Sequence, residues 1–177
     1  MWFNTKLVAL ASGAATGGSA INAFDNALRN AGIADFNLLR VSSIIPPQTP
    51  IHRLDPAMGI VKGVGRMIPA VYETLITDTV GETVAVGIGV GVPRGSDDSG
   101  VIFPASGSGT GDQVEAKLKT IIDEGMVSMR RVGSYDLRTI IAEATSEGPW
   151  TCVVAALLFF DDDLTPLVAK NLVPLSD

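Results

Sequence analysis

At 177 residues with a formal net charge of −6, the chain is long enough to bury one sizeable core and too short for two ordinary ones. Apolar residues make up 46% of it and the mean hydropathy is +0.33, a composition that excludes a disordered chain. The acidic balance and a pI near 4.7 exclude recognition of nucleic acid through phosphate neutralisation, which needs a Lys/Arg-rich face, and they suit a cationic ligand.

The first predicted element is a strand over residues 7–11. A secretory leader is the competing reading of the amino-terminal stretch, but the apolar run is short and only Lys6 precedes it. The small residues 12–18 predict a flexible loop. Ser19 then caps a helix on which Ile21, Phe24, Leu28 and Ala31 recur at helical spacing, and Gly32 ends it in the left-handed conformation that glycine tolerates. Asp25 sits at the edge of that apolar stripe. Residues 36–45 are strand-like and stop at Pro46-Pro47, since proline donates no ladder hydrogen bond. Two further strands are predicted over 67–75 and 83–92. In the second, glycine alternates with branched residues, leaving one bare face that another element can approach closely.

Polar turns over 95–99 and 105–111 flank a short predicted strand, 100–103. A helix over 113–129 carries Val114, Leu118, Ile121 and Ile122 on its core face. Residues 137–143 fit either a strand or a short helix. Thr151–Phe160 reads as a buried strand, its apolar run being about half the length a bilayer span needs, so no membrane segment is expected. Asp161-Asp162-Asp163 opens a predicted solvated tail with Pro166 and Pro174. The order of elements is that of an α+β fold, and with no repeat or linker in view the chain is read as one domain over 1–177.

Two tempting motifs fail on inspection. Gly107-Ser108-Gly109-Thr110-Gly111 lacks the Lys-Ser/Thr pair of a phosphate loop and the spacing of a dinucleotide fingerprint, so it reads as a turn. Cys152 is the only cysteine, which leaves no internal disulfide, no zinc spacing and the cytoplasm as the default compartment. It reads as a buried core thiol, and the solitary His52 as a loop histidine.

The chemistry centres on Asn37-Leu38-Leu39-Arg40-Val41-Ser42-Ser43-Ile44-Ile45-Pro46-Pro47. Two serines at a strand end are ordinarily polar turn residues. Together with Ile21-Asn22-Ala23-Phe24-Asp25-Asn26-Ala27-Leu28, Asn30-Ala31-Gly32-Ile33, Gly81-Glu82-Thr83, the glycine-rich strand and the final apolar strand, however, this stretch closely resembles the pyruvoyl-dependent arginine decarboxylases over nearly the whole chain. The resemblance implies an αββα four-layer sandwich, assembled as a homotrimer or a dimer of trimers with sites between subunits. It implies self-cleavage between Ser42 and Ser43 into chains 1–42 and 43–177, with Ser43 becoming a covalent pyruvoyl group that replaces pyridoxal phosphate and requires no metal.

Through an imine with a small cationic amino acid, such a group removes carbon dioxide, turning arginine to agmatine in polyamine synthesis. By the same resemblance Asn37 is a catalytic-site amide and Asp25 faces the substrate guanidinium, a pairing that is charge-assisted and bidentate. The sequence departs from the pattern at Pro104, where the family carries a glutamate that reprotonates the substrate carbon after decarboxylation. Proline donates no proton, and Glu73 beside Tyr72 is the candidate substitute; Glu82 fits a turn better. Pro104 also motivates two alternatives, a self-processing relative with other imine chemistry or substrate, and a non-catalytic regulatory partner.

Overall fold

The computed structural model describes residues 3–131 and 133–175. In chain order its elements are β1 (Leu7–Thr16), α1 (Ala20–Asn30), β2 (Asn37–Arg40), β3 (Ile44–Ile45), β4 (Ile51–Leu54), β5 (Met67–Thr77), β6 (Thr83–Pro93), β7 (Gly100–Ser108), α2 (Gly111–Ser128), β8 (Tyr135–Thr145), β9 (Thr151–Phe160), α3 (Thr165–Val168) and β10 (Leu172–Pro174). The strands form a six-stranded sheet in the order β10-β4-β1-β9-β5-β2 and a four-stranded sheet in the order β3-β7-β6-β8.

Side-chain alternation explains how the layers stack. On β9, Val153, Ala155, Leu157 and Phe159 pack between the two sheets, while Cys152, Val154, Ala156, Leu158 and Phe160 pack with Ala23, Ala27 and Leu28 of α1. All ten β9 residues are buried, as a central strand covered on both faces must be. On β6, Val84, Val86, Ile88 and Val90 fill the space between the sheets, and the glycines between them lie under α2. A Cβ added at Gly91 would stand 2.8 Å from Ile122 Cγ2, and one at Gly87 would stand 2.8 Å from Leu118 Cδ1. The bare glycine face is therefore what lets the helix lie close. The result is α1, six-stranded sheet, four-stranded sheet, α2: the expected αββα sandwich.

Several boundaries differ from the sequence reading, each for a packing reason. β1 continues to Thr16 through the small residues expected to form a loop, because those residues are where α1 presses on the sheet; a Cβ at Gly13 would meet Ala27 O at 2.4 Å. Ser19 does cap α1, its side chain accepting from the Asn22 amide at 3.3 Å, and Gly32 follows with φ +79°. The buried stripe of that helix, however, is Ala23, Ala27, Leu28 and then Ala31. Ile21 is 65% exposed and lies outside that stripe. β7 runs on through Pro104 to Ser108, and residues 137–143 lie inside strand β8.

The short strands β4 and β10 were not legible as strands. His52 lies in β4, opposite Ala9, rather than in a loop. The segment after Asp161 is not a solvated tail: the Asp161 carboxylate accepts from the Leu164 amide at 2.9 Å, Leu164 and Val168 are buried, and β10 pairs with β4 at the sheet edge.

Candidate active site

The serine pair lies where the chain leaves one sheet and enters the other. β2 runs parallel to β5, with Arg40 opposite Ala70, and β3 runs antiparallel to β7, with Ile44 opposite Val101. The single strand-like stretch expected over 36–45 is thus two short strands in different sheets, joined by Val41-Ser42-Ser43. The connection is held at both ends: Val41 N donates to Ala70 O at 3.1 Å, and Ser43 O accepts from Ile102 N at 2.8 Å. Ser42 is exposed and Ser43 half-buried, so the peptide bond between them spans two fixed anchors with its first residue open to solvent. Among the described residues, the non-glycine ones with left-handed φ are Gln48, Val64 and Arg130; the serine pair is not among them.

Pro104 is close to this crossing along β7. Ile102 N points at Ser43, and successive amides two residues apart point the same way in a strand, so position 104 also faces the edge carrying β3. Beyond residue 102, β3 no longer runs alongside, which is why a residue without an amide hydrogen fits there. The Pro104 ring lies on the face that Ile102 presents to the inter-sheet core. Glu73 lies on β5 between Val71 and Leu75, both of which pack between the sheets; it is half-buried and faces the same interior.

The remaining predicted residues are elsewhere. Asn37 opens β2, with Ser43 beyond the other end of that strand, so about 20 Å of extended chain separates them at about 3.3 Å per residue. Its amide Nδ2 donates to Gly65 O at 2.7 Å, and its main-chain N donates to Arg66 O at 2.9 Å. The side chain thereby pins the loop before β5 to the sheet edge. Asp25 is exposed on α1 and borders a depression of about 300 Å³ lined by Arg29, Ala34, Asp35 and Ile60. Asp35, which the sequence reading did not single out, adds a second carboxylate there while its Oδ2 accepts from Val64 N at 2.8 Å. One chain therefore does not bring Asp25 to Ser43: the first is on the helix covering the outer face of the six-stranded sheet, the second on the edge between the sheets.

Glu82 has a different task. Its carboxylate accepts from Ser108 Oγ at 2.6 Å and from Thr77 Oγ1, and these hydroxyls, Ser108 first, hold its pKa below the ordinary carboxylate value. It ties the end of β5 to the end of β7 across the two sheets. Cys152 is buried in the core, and that burial pushes its thiol up to about 11, leaving it unreactive at neutral pH.

The architecture and the serine pair define the class first: an αββα sandwich whose chain crosses between sheets at a candidate processing site. The sequence matches the pyruvoyl-dependent arginine decarboxylase family over residues 7–164, and the chain belongs to that family. It is 31% identical over 159 residues to the pyruvoyl-dependent arginine decarboxylase of Pyrococcus furiosus, covering 90% of this chain and 98% of that one. It is 33% identical over 153 residues to the enzyme of that name from Methanocaldococcus jannaschii, covering 86% and 89% respectively. The Thermococcus kodakarensis protein of that name is 28% identical over 159 residues. No helix among the described residues is long and apolar enough to cross a membrane.

Proposed function

We propose that this protein is a self-processing decarboxylase that removes the carboxylate of arginine to give agmatine and carbon dioxide. The observation that carries the reading is the pinned Val41-Ser42-Ser43 crossing, in a chain of this family, with Ser43 half-buried between two anchored amides.

In processing, Ser43 Oγ attacks the Ser42 carbonyl carbon and an ester replaces the amide, freeing the residue 43 amine. Loss of the Cα proton of residue 43 then expels the Ser42 carboxylate, leaving a Cα–Cβ double bond at 43. Water replaces the amine as ammonia, so that residues 1–42 end in a carboxylate and residues 43–177 begin with a pyruvoyl cap. The anchors at Ala70 O and Ile102 N hold the attacking hydroxyl and the carbonyl in one short span, which is the contribution the chain makes through orientation. The donor set suits such a cap: a serine preceded by a second serine at a solvent-open turn, with apolar residues on the strand after it. Once formed, the ketone supplies an electron sink for the pair released as the substrate carboxylate leaves.

Asp25 and Asp35 fit the other end of a cationic substrate, since a guanidinium meets carboxylates through charge-assisted paired hydrogen bonds. Because the acidic depression and Ser43 occupy different parts of one chain, the reading requires the complete site to form between subunits, as in a homotrimer or a dimer of trimers. Exposed Leu39 (54%), Ile44 (40%), Val64 (81%) and Met67 (74%) on the β2 and β3 edge and its neighbouring loop are the apolar surface such an assembly would cover. Asn37 is proposed to shape that edge by holding the loop at Gly65.

The test is the intact mass of the purified, denatured protein, followed by incubation with arginine. The expected result is two chains divided between residues 42 and 43, the larger with a blocked amino terminus, and release of agmatine; Ser43→Ala should remain a single uncut chain. A single chain in the unsubstituted protein would refute the processing step, and cleavage without agmatine would refute arginine as the substrate.

A further inference from the structure

Decarboxylation exchanges a carbon–carbon bond for a carbon–hydrogen bond, so a site built at Ser43 needs a group that can deliver one proton to the substrate carbon. Two independent registers locate the side chains that face such a site. β5 and β7 both run opposite to β6, because β6 follows β5 through a tight turn and pairs antiparallel with β7. The Glu82 carboxylate joins Thr77, the last residue of β5, to Ser108, the last of β7, which sets those two residues at one level.

Counting back four residues along each strand brings Glu73 opposite Pro104, and counting back six brings Val71 opposite Ile102. The other end of the strands agrees. Val41 is bonded to Ala70 and Ser43 to Ile102, so the crossing sits at the level of Val71 and Ile102. Glu73 and Pro104 then lie two residues, about 7 Å, beyond the serine pair.

Past the crossing, neither β2 nor β3 continues, which leaves an opening where the facing edges of β5 and β7 are unpaired and where Glu73 and Pro104 are half-buried. On the inward faces of β5, β6 and β7 next to this opening the side chains are Val71, Leu75, Ile88, Val90, Ile102 and Pro104, with Ser106 beyond, and Glu73 is the titratable one. It makes no hydrogen bond or ion pair among the described residues. Glu82 is the alternative carboxylate, but it is four residues, about 13 Å, further along, and both its oxygens are occupied by hydroxyls.

We infer that Glu73 is the catalytic acid of this protein, its carboxyl donating the proton that takes up the electron pair left on the substrate α-carbon when carbon dioxide departs. Solvent then restores the proton to the carboxylate, and the balance is one amino acid and one proton in, one amine and one carbon dioxide out. The acid comes from the β5 wall of the gap, and the β7 wall opposite it carries Pro104, which has nothing to donate. Facing sheets stand about 10 Å apart, so a carboxyl reaching in from either wall would occupy the same space. This assignment rests on the self-processing decarboxylase reading, and the test separates the two.

The variants are Glu73→Gln, which keeps shape and removes the acid, and the double variant Glu73→Gln/Pro104→Glu, which returns a carboxyl from the opposite wall. Cleavage is read by intact mass and turnover by agmatine release. The expected result is that all three proteins are cleaved alike, that Glu73→Gln loses a hundred-fold or more in rate, in the range that removal of a general acid produces, and that the double variant regains at least ten-fold. A fully active Glu73→Gln overturns the inference while leaving the decarboxylase reading standing. Loss of cleavage in Glu73→Gln overturns it too, because the carboxyl would then serve processing. Loss of rate with no recovery in the double variant refutes the facing-wall geometry. An uncut, inactive unsubstituted protein removes the decarboxylase reading and the inference with it.

Discussion

Replacing Gly13 by alanine tests whether the contact between α1 and β1 is as tight as the packing indicates. The added Cβ would stand 2.4 Å from Ala27 O and 2.6 Å from Ala31 N, both backbone atoms that cannot rotate away. Ordinary contact begins near 3.4 Å, so the helix must move by about 1 Å along its length over the sheet. Overpacking of a filled core costs about 1–3 kcal/mol, and the loss of unfolded-chain freedom on replacing glycine offsets about 0.4–1 kcal/mol of it. A net cost of about 1–2 kcal/mol corresponds to a fall in Tm of about 2–8 °C for a chain of this size.

Gly18→Ala is the control, because nothing lies within 4 Å of its added Cβ and only the favourable term remains. The assay is thermal unfolding at one fixed protein concentration, which removes the mass-action effect of any assembly. If Gly13→Ala melts with or above the unsubstituted protein, the close approach of α1 does not constrain the fold and the explanation of its small-residue stripe is wrong. A melt below the unsubstituted protein, with Gly18→Ala at or above it, supports it.

Glu82→Gln should lower Tm at neutral pH, and the gap from the unsubstituted protein should close on acidification. The native carboxylate is held below its ordinary value of 4.5 by the Ser108 and Thr77 hydroxyls; its contribution is complete above about that pH and is lost as pH falls through the depressed native value. A Tm difference that does not change between neutral pH and pH 3 would contradict the clasp. Cys152, raised to about 11 by burial, should react with a thiol reagent at neutral pH only on unfolding, so that labelling follows the unfolding rate; rapid labelling of the native protein would contradict its burial.

Alternation along each strand and the residue types at its ends were enough to read much of this protein. The residues of β5, β6 and β9, the core face of α2, the cap at Ser19 and the glycine at 32 each express a local rule that operates wherever the chain goes. The glycine face of β6 announced a close neighbour without naming it, and the family resemblance pointed to Ser42 and Ser43 before any fold was in hand. Strands of two to four residues carry no such pattern, so β4 and β10 came into view only when their partners did, the stretch 36–45 did not show that it divides into β2 and β3, and the chain after Asp161 looked solvated because its buried side chains, Leu164 and Val168, are too few to show a period.

The arrangement around the serines belongs to the tertiary structure alone. Nothing in the order of residues says that Val41 and Ser43 are anchored to different sheets, or that Asp25 and Ser43 are on separate parts of one chain. Nor does it say that Glu73 stands opposite Pro104, 31 positions away. That facing follows from two sheets stacked with parallel β5 and β7, their ends tied by Glu82, a relation between walls that local propensity does not encode.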